Sequence, residues 1–159
     1  MSTRVGIGYD SHRFSAGRPL RLGGLTVPHT HGLAGHSDGD VALHAVVDAL
    51  LGAAAIGDIG AFFPDDDPQW KGADSARFVK KVVETLQQLH LAVQQVDVTI
   101  IAERPKLADK IGAMRAATAK ALGVELSAVS VKAKTNEGMG WVGRGEGIAA
   151  IAVATVGSG

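Results

Sequence analysis

Residues 40–57 read DVALHAVVDALLGAAAIG, a stretch in which apolar residues recur with the period of a helix. We predict a helix from about Asp40 to Ile56, with Gly57 as the stop at its C-terminal end. The residues expected to form its apolar face are Val41, Ala42, Ala45, Val46, Ala49 and Leu50. A helix with one apolar face has to pack on another layer, so the segments on either side should supply that layer.

Those segments alternate between strand-like and helix-like patterns. Residues 4–9 predict a first strand, and residues 20–28 predict a short hairpin whose strands are separated by Gly23 and Gly24. Further strands are predicted over residues 96–102, 129–134 and 148–156, and further helices over residues 73–90 and 107–122. The glycine-rich or acidic segments 29–39, 57–73 and 135–147 are expected to be loops. We therefore predict an α/β (α+β) fold, a single domain over residues 1–159 with one mixed sheet covered by helices.

Composition excludes several classes of function. The chain has 159 residues, of which 46% are hydrophobic and 20% charged, and its 16 basic and 16 acidic residues give a formal net charge of zero. A general nucleic-acid binder would carry a basic excess, so we expect no nucleic-acid partner. Because there is no cysteine, thiolate metal sites and thiol nucleophiles are excluded as well. The 21 glycines suggest loops whose backbone approaches something closely.

No segment predicts membrane insertion or export. The longest apolar stretches, residues 49–57 and 147–157, are far shorter than the roughly 18 residues that a membrane span needs. The first predicted strand follows the N-terminus almost at once, which leaves no room for a signal peptide. We therefore expect a cytoplasmic protein without a membrane partner.

Asp10 and His12 are the first candidate metal ligands. They lie just past the predicted end of the first strand, and positions i and i+2 of an extended segment point to the same side. One cation can therefore meet both side chains. Two protein ligands are too few for tight zinc binding, so a third is needed. A surface turn in which Asp10 caps a neighbouring amide would explain the same residues.

His44 is a candidate for the third ligand. Asp40, His44 and Asp48 follow one another at i, i+4 spacing, so they form one stripe along the predicted helix. A carboxylate in that stripe can accept the spare ring N–H of His44, which fixes the tautomer and strengthens the other nitrogen as a ligand. A helix face with intrahelical hydrogen bonds and no metal is the alternative.

The segment before this helix favours anions. Ser37 or Asp38 is a natural cap for the helix, and the free N–H groups at a helix start attract negative charge. His36 can donate a hydrogen bond to a phosphate there, although a solvated loop histidine would look the same.

Two later loops carry further polar groups. Asp58 and residues 63–67 place four carboxylates within ten residues, which can hold sugar hydroxyls or a hard cation such as magnesium. A solvated acidic turn is the alternative. Residues 134–147 combine a hydroxyl, carboxylates and Arg144 on a glycine-rich scaffold suited to phosphate and magnesium contacts. They match neither a dinucleotide fingerprint nor a Walker loop.

No activated protein nucleophile accompanies these groups, and no Gly-x-Ser-x-Gly elbow is present. Histidine and carboxylate for a metal, together with loops that favour anions, are typical of phosphoryl chemistry in which the substrate supplies its own nucleophile.

The order of the motifs resembles one known family. From residue 6 to about residue 149, the sequence is similar to the 2-C-methyl-D-erythritol 2,4-cyclodiphosphate synthases. The segments that carry the resemblance are residues 8–12, 34–44, 57–60, 63–68, 71–75, 104–107 and 143–147. Each motif alone is weakly specific, but this order and spacing are highly specific.

The resemblance implies an enzyme of the non-mevalonate isoprenoid pathway, a phosphorus-oxygen lyase. It would convert 4-diphosphocytidyl-2-C-methyl-D-erythritol 2-phosphate into the cyclic diphosphate and CMP, with the 2-phosphate attacking the β-phosphorus. It also implies a ferredoxin-like fold in a homotrimer, with sheets facing the three-fold axis and active sites between neighbouring subunits. Zinc, one ion per subunit, and magnesium or manganese with the substrate diphosphate are the implied cofactors.

Matched to the family motifs, Asp10, His12 and His44 would be the zinc ligands, and Glu137 would bind the magnesium or manganese ion. His36 and Thr135 match positions that stabilise the transition state. The implied substrate contacts are Ser37, Asp58, Gly60, Phe63, Asp65, Asp67, Ala102, Pro105, Lys106, Leu107, Ala108, Lys134, Asn136, Trp141 and Arg144. Among these, residues 102–108 would hold cytosine, residues 63–67 would cover the methylerythritol, and Arg144 faces a central trimer cavity in some relatives.

Three positions depart from commoner forms of the pattern. Ser11 replaces a frequent valine, Lys134 a frequent threonine, and Trp141 a frequent phenylalanine. The last two alter the nucleotide and cavity contacts rather than the reaction. Two other functions fit parts of the pattern: a metal phosphohydrolase, against which stands the lack of any adjacent His-Asp pair, and a non-catalytic trimeric module that binds a nucleotide or an isoprenoid diphosphate.

Overall fold

The computed structural model describes residues 2–159. Its strands are β1 (Thr3–Ser15), β2 (Leu20–Leu22), β3 (Leu25–Val27), β4 (Gly32–Leu33), β5 (Leu91–Ile101), β6 (Val129–Lys134) and β7 (Gly147–Ser158). Its α-helices are α1 (Val41–Ala54), α2 (Ile59–Phe62), α3 (Ser75–Gln88), α4 (Ile111–Leu122) and α5 (Gly140–Gly143). Three 3-10 turns cover Pro68–Trp70, Ala108–Lys110 and Leu126–Ala128. None of the helices in residues 2–159 is long and apolar enough to cross a bilayer.

Five strands form one mixed sheet in the order β4-β1-β7-β5-β6. Strand β7 pairs antiparallel with both β1 and β5, whereas β5 and β6 are parallel. The predicted α/β class with a mixed sheet and helices is confirmed. Along the chain the principal elements are β1-α1-α3-β5-α4-β6-β7, whereas a ferredoxin-like chain runs β-α-β-β-α-β. The parallel β5–β6 pair is the consequence, because a helix has to cross over between them.

The helices cover only one face of the sheet. Residues of β1 alternate between the covered face, where Gly6 and Gly8 are buried, and the open face. On the open face Val5, Ile7 and Tyr9 are 65%, 70% and 56% exposed. Their neighbours on β7, Ile151 and Val153, are also exposed. A sheet packed on one face alone therefore presents an apolar open face, defined here by these five residues.

Helix α1 lies directly on the backbone of β1. A Cβ atom at Gly8 would stand 1.9 Å from the carbonyl oxygen of Ala45, and one at Gly6 would stand 2.0 Å from that of Ala49. The predicted close backbone approach is therefore present, but in a strand, whereas we expected it in loops. Only glycine allows the helix to come this near, and the small Ala45 and Ala49 present the matching helix surface.

Several element boundaries differ from the predictions. Strand β1 extends to Ser15 and includes Asp10 and His12, because pairing with β7 continues through Arg13 and Gly147. Helix α1 ends at Ala54 with a left-handed Ala55 as its cap, so Gly57 is not the stop. The predicted loops 57–73 and 135–147 contain the short helices α2 and α5. Strands β2, β3 and β6 and the Gly123 cap of α4 are confirmed.

Candidate active site

Strand β1 presents Asp10 and His12 side by side. Both lie on the strand face that carries Gly6 and Gly8, so their side chains point toward α1. The hypothesis of a surface turn at Asp10 is therefore wrong, because a paired strand holds both residues. Their spacing along the strand, rather than a turn, brings the two side chains together.

Helix α1 supplies His44 from the other side. His44 follows the N-cap by one turn and precedes Ala45, the residue that rests on Gly8. The close contact between helix and strand therefore sets the distance between the His44 ring and the two side chains of β1. His44 is 6% exposed and packs against Phe78 of α3, with 5.9 Å between the ring centroids.

Three potential ligand atoms converge at this point. His12 Nε2 lies 2.9 Å from Asp10 Oδ2 and 3.1 Å from His44 Nδ1, and His44 Nδ1 lies 3.0 Å from Asp10 Oδ2. A tetrahedral zinc ion with bonds of about 2.0–2.1 Å separates its ligand atoms by about 3.3 Å. This group, called the triad below, is a potential metal site, and its oxygen and two nitrogens fit zinc with little rearrangement.

The second nitrogen of each imidazole also has a partner. His12 Nδ1 contacts the carbonyl oxygen of Ala34, and since a carbonyl only accepts, the ring donates there and keeps its Nε2 lone pair for a metal. His44 Nε2 lies 2.8 Å from Ser75 Oγ and 3.1 Å from Ser37 Oγ. Partners of this kind are usual for metal-binding histidines.

The predicted partners of His44, Asp40 and Asp48, have other contacts. Asp40 is fully buried and is the N-cap of α1, where it accepts hydrogen bonds from Leu43 N and from the Gly23 and Gly24 amides of the β2–β3 hairpin. Asp40 also takes the cap position that we assigned to Ser37 or Asp38. Asp48 Oδ1 accepts a 2.8 Å hydrogen bond from Ile59 N. Serine hydroxyls replace the expected carboxylates because His44 Nε2 faces α3 rather than its own helix.

The triad perturbs the titration of its own members. Burial opposes ionisation of Asp10, but hydrogen bonds with His12 and His44 outweigh it and lower the pKa of this carboxyl from 3.8 to about 2. Burial also works against the charged form of His12, whose pKa is nevertheless raised above 6.5 by Asp10. Without a metal, Asp10 is therefore ionised at neutral pH and can attract a cation, whereas a metal that binds His12 has to replace a proton favoured by Asp10.

The triad forms one wall of a cavity of about 210 Å³. The predicted site residues that line this cavity are Asp10, His12, His36, Ser37, His44, Gly60, Phe63 and Asp65. Its apolar wall consists of Phe63, Trp70 and Phe78, with Phe63 stacked on Phe78 at 4.4 Å between centroids and Trp70 edge-on to both. The cavity therefore joins a polar end, which contains the potential metal site, to an aromatic side.

The loop over this cavity is tied down at several points. His36 Nε2 donates to the carbonyl oxygen of Asp67 at 3.0 Å. Asp58 caps α2 by accepting from Ala61 N, and Asp67 caps the following 3-10 turn. Asp58 and Asp67 do not line this cavity. Both carboxylates cap short turns through exposed hydrogen bonds, which the alternative of a solvated acidic turn also explains.

A second cavity, of about 440 Å³, lies where β5 and β6 end. The predicted residues that line it are Ala102, Pro105, Lys106, Leu107, Ala108, Lys134 and Thr135. It adjoins a further cavity of about 420 Å³ that includes Arg144 and shares Lys106 and Thr135 with it. The residues expected to hold a base and those expected to contact phosphate are therefore neighbours.

The loop after β6 depends on Glu103, a residue that the sequence analysis did not single out. Glu103 Oε1 accepts from the backbone N–H groups of Asn136 and Gly138 at 3.1 and 2.8 Å. Glu137, between them, has a positive φ of 54° and an exposed side chain. Asn136 and Glu137 line none of the cavities described here. Trp141 lines a separate cavity of about 200 Å³ with Ser11, His12, Arg13 and Glu146.

The comparison with family models decides the family. The model of the YgbB family matches residues 3–157. The chain belongs to the YgbB family. Proteins named 2-C-methyl-D-erythritol 2,4-cyclodiphosphate synthase are close relatives. The protein from Salinibacter ruber is 58% identical over 96% of this chain and 98% of its own length. The one from Burkholderia thailandensis is 54% identical over 98% of this chain and 96% of its own length.

Solved structures agree with this assignment to the YgbB family. A CDP-bound 2C-methyl-D-erythritol-2,4-cyclodiphosphate synthase superposes with a TM-score of 0.89 at 36% identity and covers 97% of this chain and 100% of its own. The bifunctional IspDF of Campylobacter jejuni gives a TM-score of 0.95 at 37% identity. The match covers 99% of this chain but 43% of that longer protein.

In this YgbB family chain the triad and the second cavity lie on the same sheet but apart. Asp10 pairs with Ala150 of β7, Ala150 with Ile100 of β5, and Ile100 with Ala133 of β6, which lines the second cavity. Three strand spacings of about 4.8 Å separate these positions by about 14 Å. The two cavities share no lining residue, so they are separate within one chain.

Proposed function

We propose that this chain converts 4-diphosphocytidyl-2-C-methyl-D-erythritol 2-phosphate into 2-C-methyl-D-erythritol 2,4-cyclodiphosphate and CMP, as a phosphorus-oxygen lyase of the non-mevalonate isoprenoid pathway. The observation that carries the proposal is the convergence of Asp10, His12 and His44 beside a cavity, in a chain of the YgbB family. The reaction is an intramolecular displacement in which the 2-phosphate attacks the β-phosphorus and CMP leaves. It needs no protein nucleophile, in agreement with the residues around the cavity.

The triad is the proposed zinc site, with one ion per subunit. Each of its two imidazoles has one nitrogen available to bind a metal, and its carboxylate stays ionised. This donor set matches that of a catalytic zinc with an open fourth position. A zinc ion held there would bind a phosphate oxygen and withdraw its charge. Glu137, exposed on its loop, is the proposed ligand of a magnesium or manganese ion that accompanies the diphosphate.

His36 and Thr135 are the proposed groups that stabilise charge during the transfer. His36 lies in the wall of the first cavity, and its Nε2 is a donor within reach of that space. Ser37 would add a phosphate contact from the same wall. Thr135 lies at the border between the second cavity and the one that contains Arg144, where a diphosphate next to a bound base would lie.

The remaining substrate contacts follow from the two cavities. The loop that includes Asp58, Gly60 and residues 63–67 would hold the methylerythritol beside the triad. The apolar lining of Leu107 and Ala108 and the free backbone of residues 102–108 would hold cytosine. The other proposed contacts to the nucleotide and its phosphates are Lys134, Asn136, Trp141 and Arg144.

A homotrimer is the proposed assembly. A substrate that joins cytidine to methylerythritol needs both cavities, and the 14 Å or so between them in one chain is explained if the triad of one subunit faces residues 102–108 and 135 of the next. The apolar open face supports this assembly, since monomers rarely expose five large apolar residues on one sheet face. It would turn toward the three-fold axis.

The decisive experiment is incubation of the protein with substrate, zinc and magnesium, followed by analysis of the products. We expect CMP and the cyclic diphosphate in equal amounts. Release of inorganic phosphate would instead identify a metal phosphohydrolase, and binding of the nucleotide without turnover would identify a non-catalytic module. Either result would contradict the proposed reaction.

Mixing two inactive variants tests whether the site is shared. His44→Ala removes a ligand from one half-site and Thr135→Ala removes a hydroxyl from the other. If neighbouring subunits build each site, mixed trimers of the two variants regain activity, because some sites receive both intact halves. Mixtures that stay as inactive as the separate variants, despite subunit exchange shown by mass spectrometry, would contradict the shared site.

A further inference from the structure

His44 makes two kinds of contact with its two ring nitrogens. Nδ1 faces Asp10 and His12 in the triad, whereas Nε2 is turned away from the cavity toward α3. There Ser75 Oγ lies 2.8 Å from Nε2, and Ser75 is 0% exposed. A fully buried hydroxyl that meets a metal-binding histidine has to have a defined proton direction, because no water can compensate for a wrong one.

Asp38 fixes that direction. Ser75 Oγ donates a short hydrogen bond to Asp38 Oδ1, and a carboxylate oxygen can only accept. Because the hydroxyl proton of Ser75 is donated to Asp38, Ser75 Oγ accepts the hydrogen bond from His44 Nε2–H. With the ring proton on Nε2, the lone pair of Nδ1 points at the triad. The hydrogen-bond chain Asp38–Ser75–His44 therefore selects the tautomer that can bind a metal.

Backbone contacts hold Asp38 in place. Asp38 Oδ2 accepts from Ser75 N and Oδ1 accepts from Asp40 N, both at 3.0 Å. Arg21 Nε lies 3.7 Å from Oδ2. The carboxylate cannot turn away from the Ser75 hydroxyl without losing these contacts, so the chain ends on a rigid acceptor.

A purely structural role would be that Asp38 merely caps the start of α3. That helix already has a cap, because Asp74 accepts from Ala76 N at 2.9 Å. Capping also requires no contact between the Ser75 hydroxyl and His44. A capping role alone therefore does not explain why the buried Ser75 hydroxyl lies against the His44 ring.

We propose that Ser75 and Asp38 are positioning residues of the metal site, which act through His44 by fixing its tautomer and ring orientation. Neither residue touches the substrate or the ion. The inference rests on the proposed metal site, and it assigns a role to two residues outside the ligand set. Ser37 Oγ, 3.1 Å from the same nitrogen, is a weaker alternative acceptor, so loss of Ser75 should weaken the site rather than abolish it.

The test is a titration of the metal-free protein with Co²⁺ alone, followed by its visible absorption, and with Zn²⁺ in competition with a chromophoric chelator. Ser75→Ala should raise the Kd for both ions by about 10- to 100-fold, the range expected when such an outer partner is removed. Asp38→Asn should act in the same direction. Asp74→Ala is the matched control: it weakens the same end of α3 but should leave the Kd of both ions within about twofold of the wild type.

A second measurement needs no metal. Long-range proton–nitrogen NMR correlations show which ring nitrogen of His44 carries the proton, and we expect Nε2 in the wild type and a larger share of Nδ1 protonation in Ser75→Ala. A variant with lowered Tm but unchanged metal affinity and an unchanged tautomer would overturn the inference and leave a structural role only. If Ser75→Ala does not fold, Asp38→Asn is judged by the same two measurements. Failure of the wild type itself to bind either ion would instead overturn the proposed metal site.

Discussion

Gly8 of β1 lies so close to Ala45 of α1 that a Cβ atom on the glycine would stand 1.9 Å from the alanine carbonyl oxygen. Asp10 follows Gly8 by two residues along the strand, and His44 precedes Ala45 by one residue along the helix. This contact therefore sets the distance between the Asp10 and His44 side chains. The distance between a helix and a strand, rather than any ligand alone, thus decides whether three donor atoms can meet.

Gly8→Ala should therefore damage both stability and metal binding. The added methyl meets backbone atoms, which cannot move aside as a flexible side chain would, and overpacking of this kind costs about 1–3 kcal/mol or more. Gly112→Ala is the control, since an added Cβ there meets nothing within 4 Å, and it should be neutral or slightly stabilising in its helix. Urea unfolding and zinc content measure the two effects; a Gly8→Ala protein with wild-type stability would contradict the close approach.

His44→Ala should abolish zinc binding and activity. Two remaining ligands are too few to hold zinc tightly, so metal analysis of the purified variant should find little zinc. Removal of a buried ring should also lower stability, though the protein should remain folded. His31→Ala, at an exposed loop histidine, should keep full zinc content; a His44→Ala protein with full zinc would contradict the ligand assignment.

Asp40→Ala should lower stability without removing a ligand. The variant loses the cap of α1 and leaves the buried amides of Gly23 and Leu43 without their acceptor. With about 1–3 kcal/mol for an unsatisfied buried group and about 1 kcal/mol for a cap, we expect a loss of about 2–4 kcal/mol in the free energy of unfolding. Asp74→Ala, which removes the cap of α3 alone, should cost less. Equal losses in the two variants would contradict the role of Asp40 in joining the β2–β3 hairpin to α1.

Ile7→Glu should prevent assembly. Ile7 is 70% exposed on the apolar open face, and a charge buried in a subunit interface without a partner is unfavourable. Sedimentation should show a trimer for the wild type and a smaller species for the variant. Leu126→Glu, at an exposed position on a 3-10 turn, should remain a trimer. A wild-type monomer, or a trimeric Ile7→Glu protein, would contradict the proposed interface.

The Asp97–Lys132 pair predicts a small pH effect on the same face. Hydrogen bonds from Lys132 Nζ, 2.7 Å from both carboxylate oxygens, lower the pKa of Asp97. A lowered pKa in the folded state stabilises the protein fully at pH values above 3.8, the unfolded value, and this contribution is lost as the pH falls from there through the lower pKa of the folded state. The pair is exposed in the single chain, so for an unassembled subunit we expect at most about 1 kcal/mol. A double-mutant cycle with Asp97→Asn and Lys132→Met, measured at pH 7 and pH 3, should show weaker coupling at the lower pH.

Much of the fold could be predicted because periodic patterns are local. The alternation in β6 and the helical spacing in α3 placed these elements within a few residues of their observed ends. The end of α1 could not be placed this way: Ala55 takes a left-handed conformation that alanine does not favour by itself. A C-terminal capping motif closes the helix there, with hydrogen bonds from Ala55 N to Gly52 O and from Ile56 N to Leu51 O, and it uses alanine where the pattern led us to expect glycine.

The same distinction applies to the site. The i, i+2 spacing of Asp10 and His12 is a local signal, and with His44 it was sufficient to identify the triad. Ser75 lies 31 residues from His44 and shares no pattern with it, so only the packing of α3 against α1 reveals their contact. Glu103 went unnoticed for the same reason, since its partners Asn136 and Gly138 follow it by more than thirty residues.

The two faces of strand β1 carry different kinds of residues. Its even-numbered residues from Gly6 to His12 face α1 and end in two proposed metal ligands, while Val5, Ile7 and Tyr9 form part of the apolar open face. Deleting one residue before Val5 would leave that division intact, but deleting Tyr9 would exchange the faces for every residue beyond it. The proposed metal site uses the even positions of this strand and the proposed interface uses its odd positions, so a shift of register would disturb both at once.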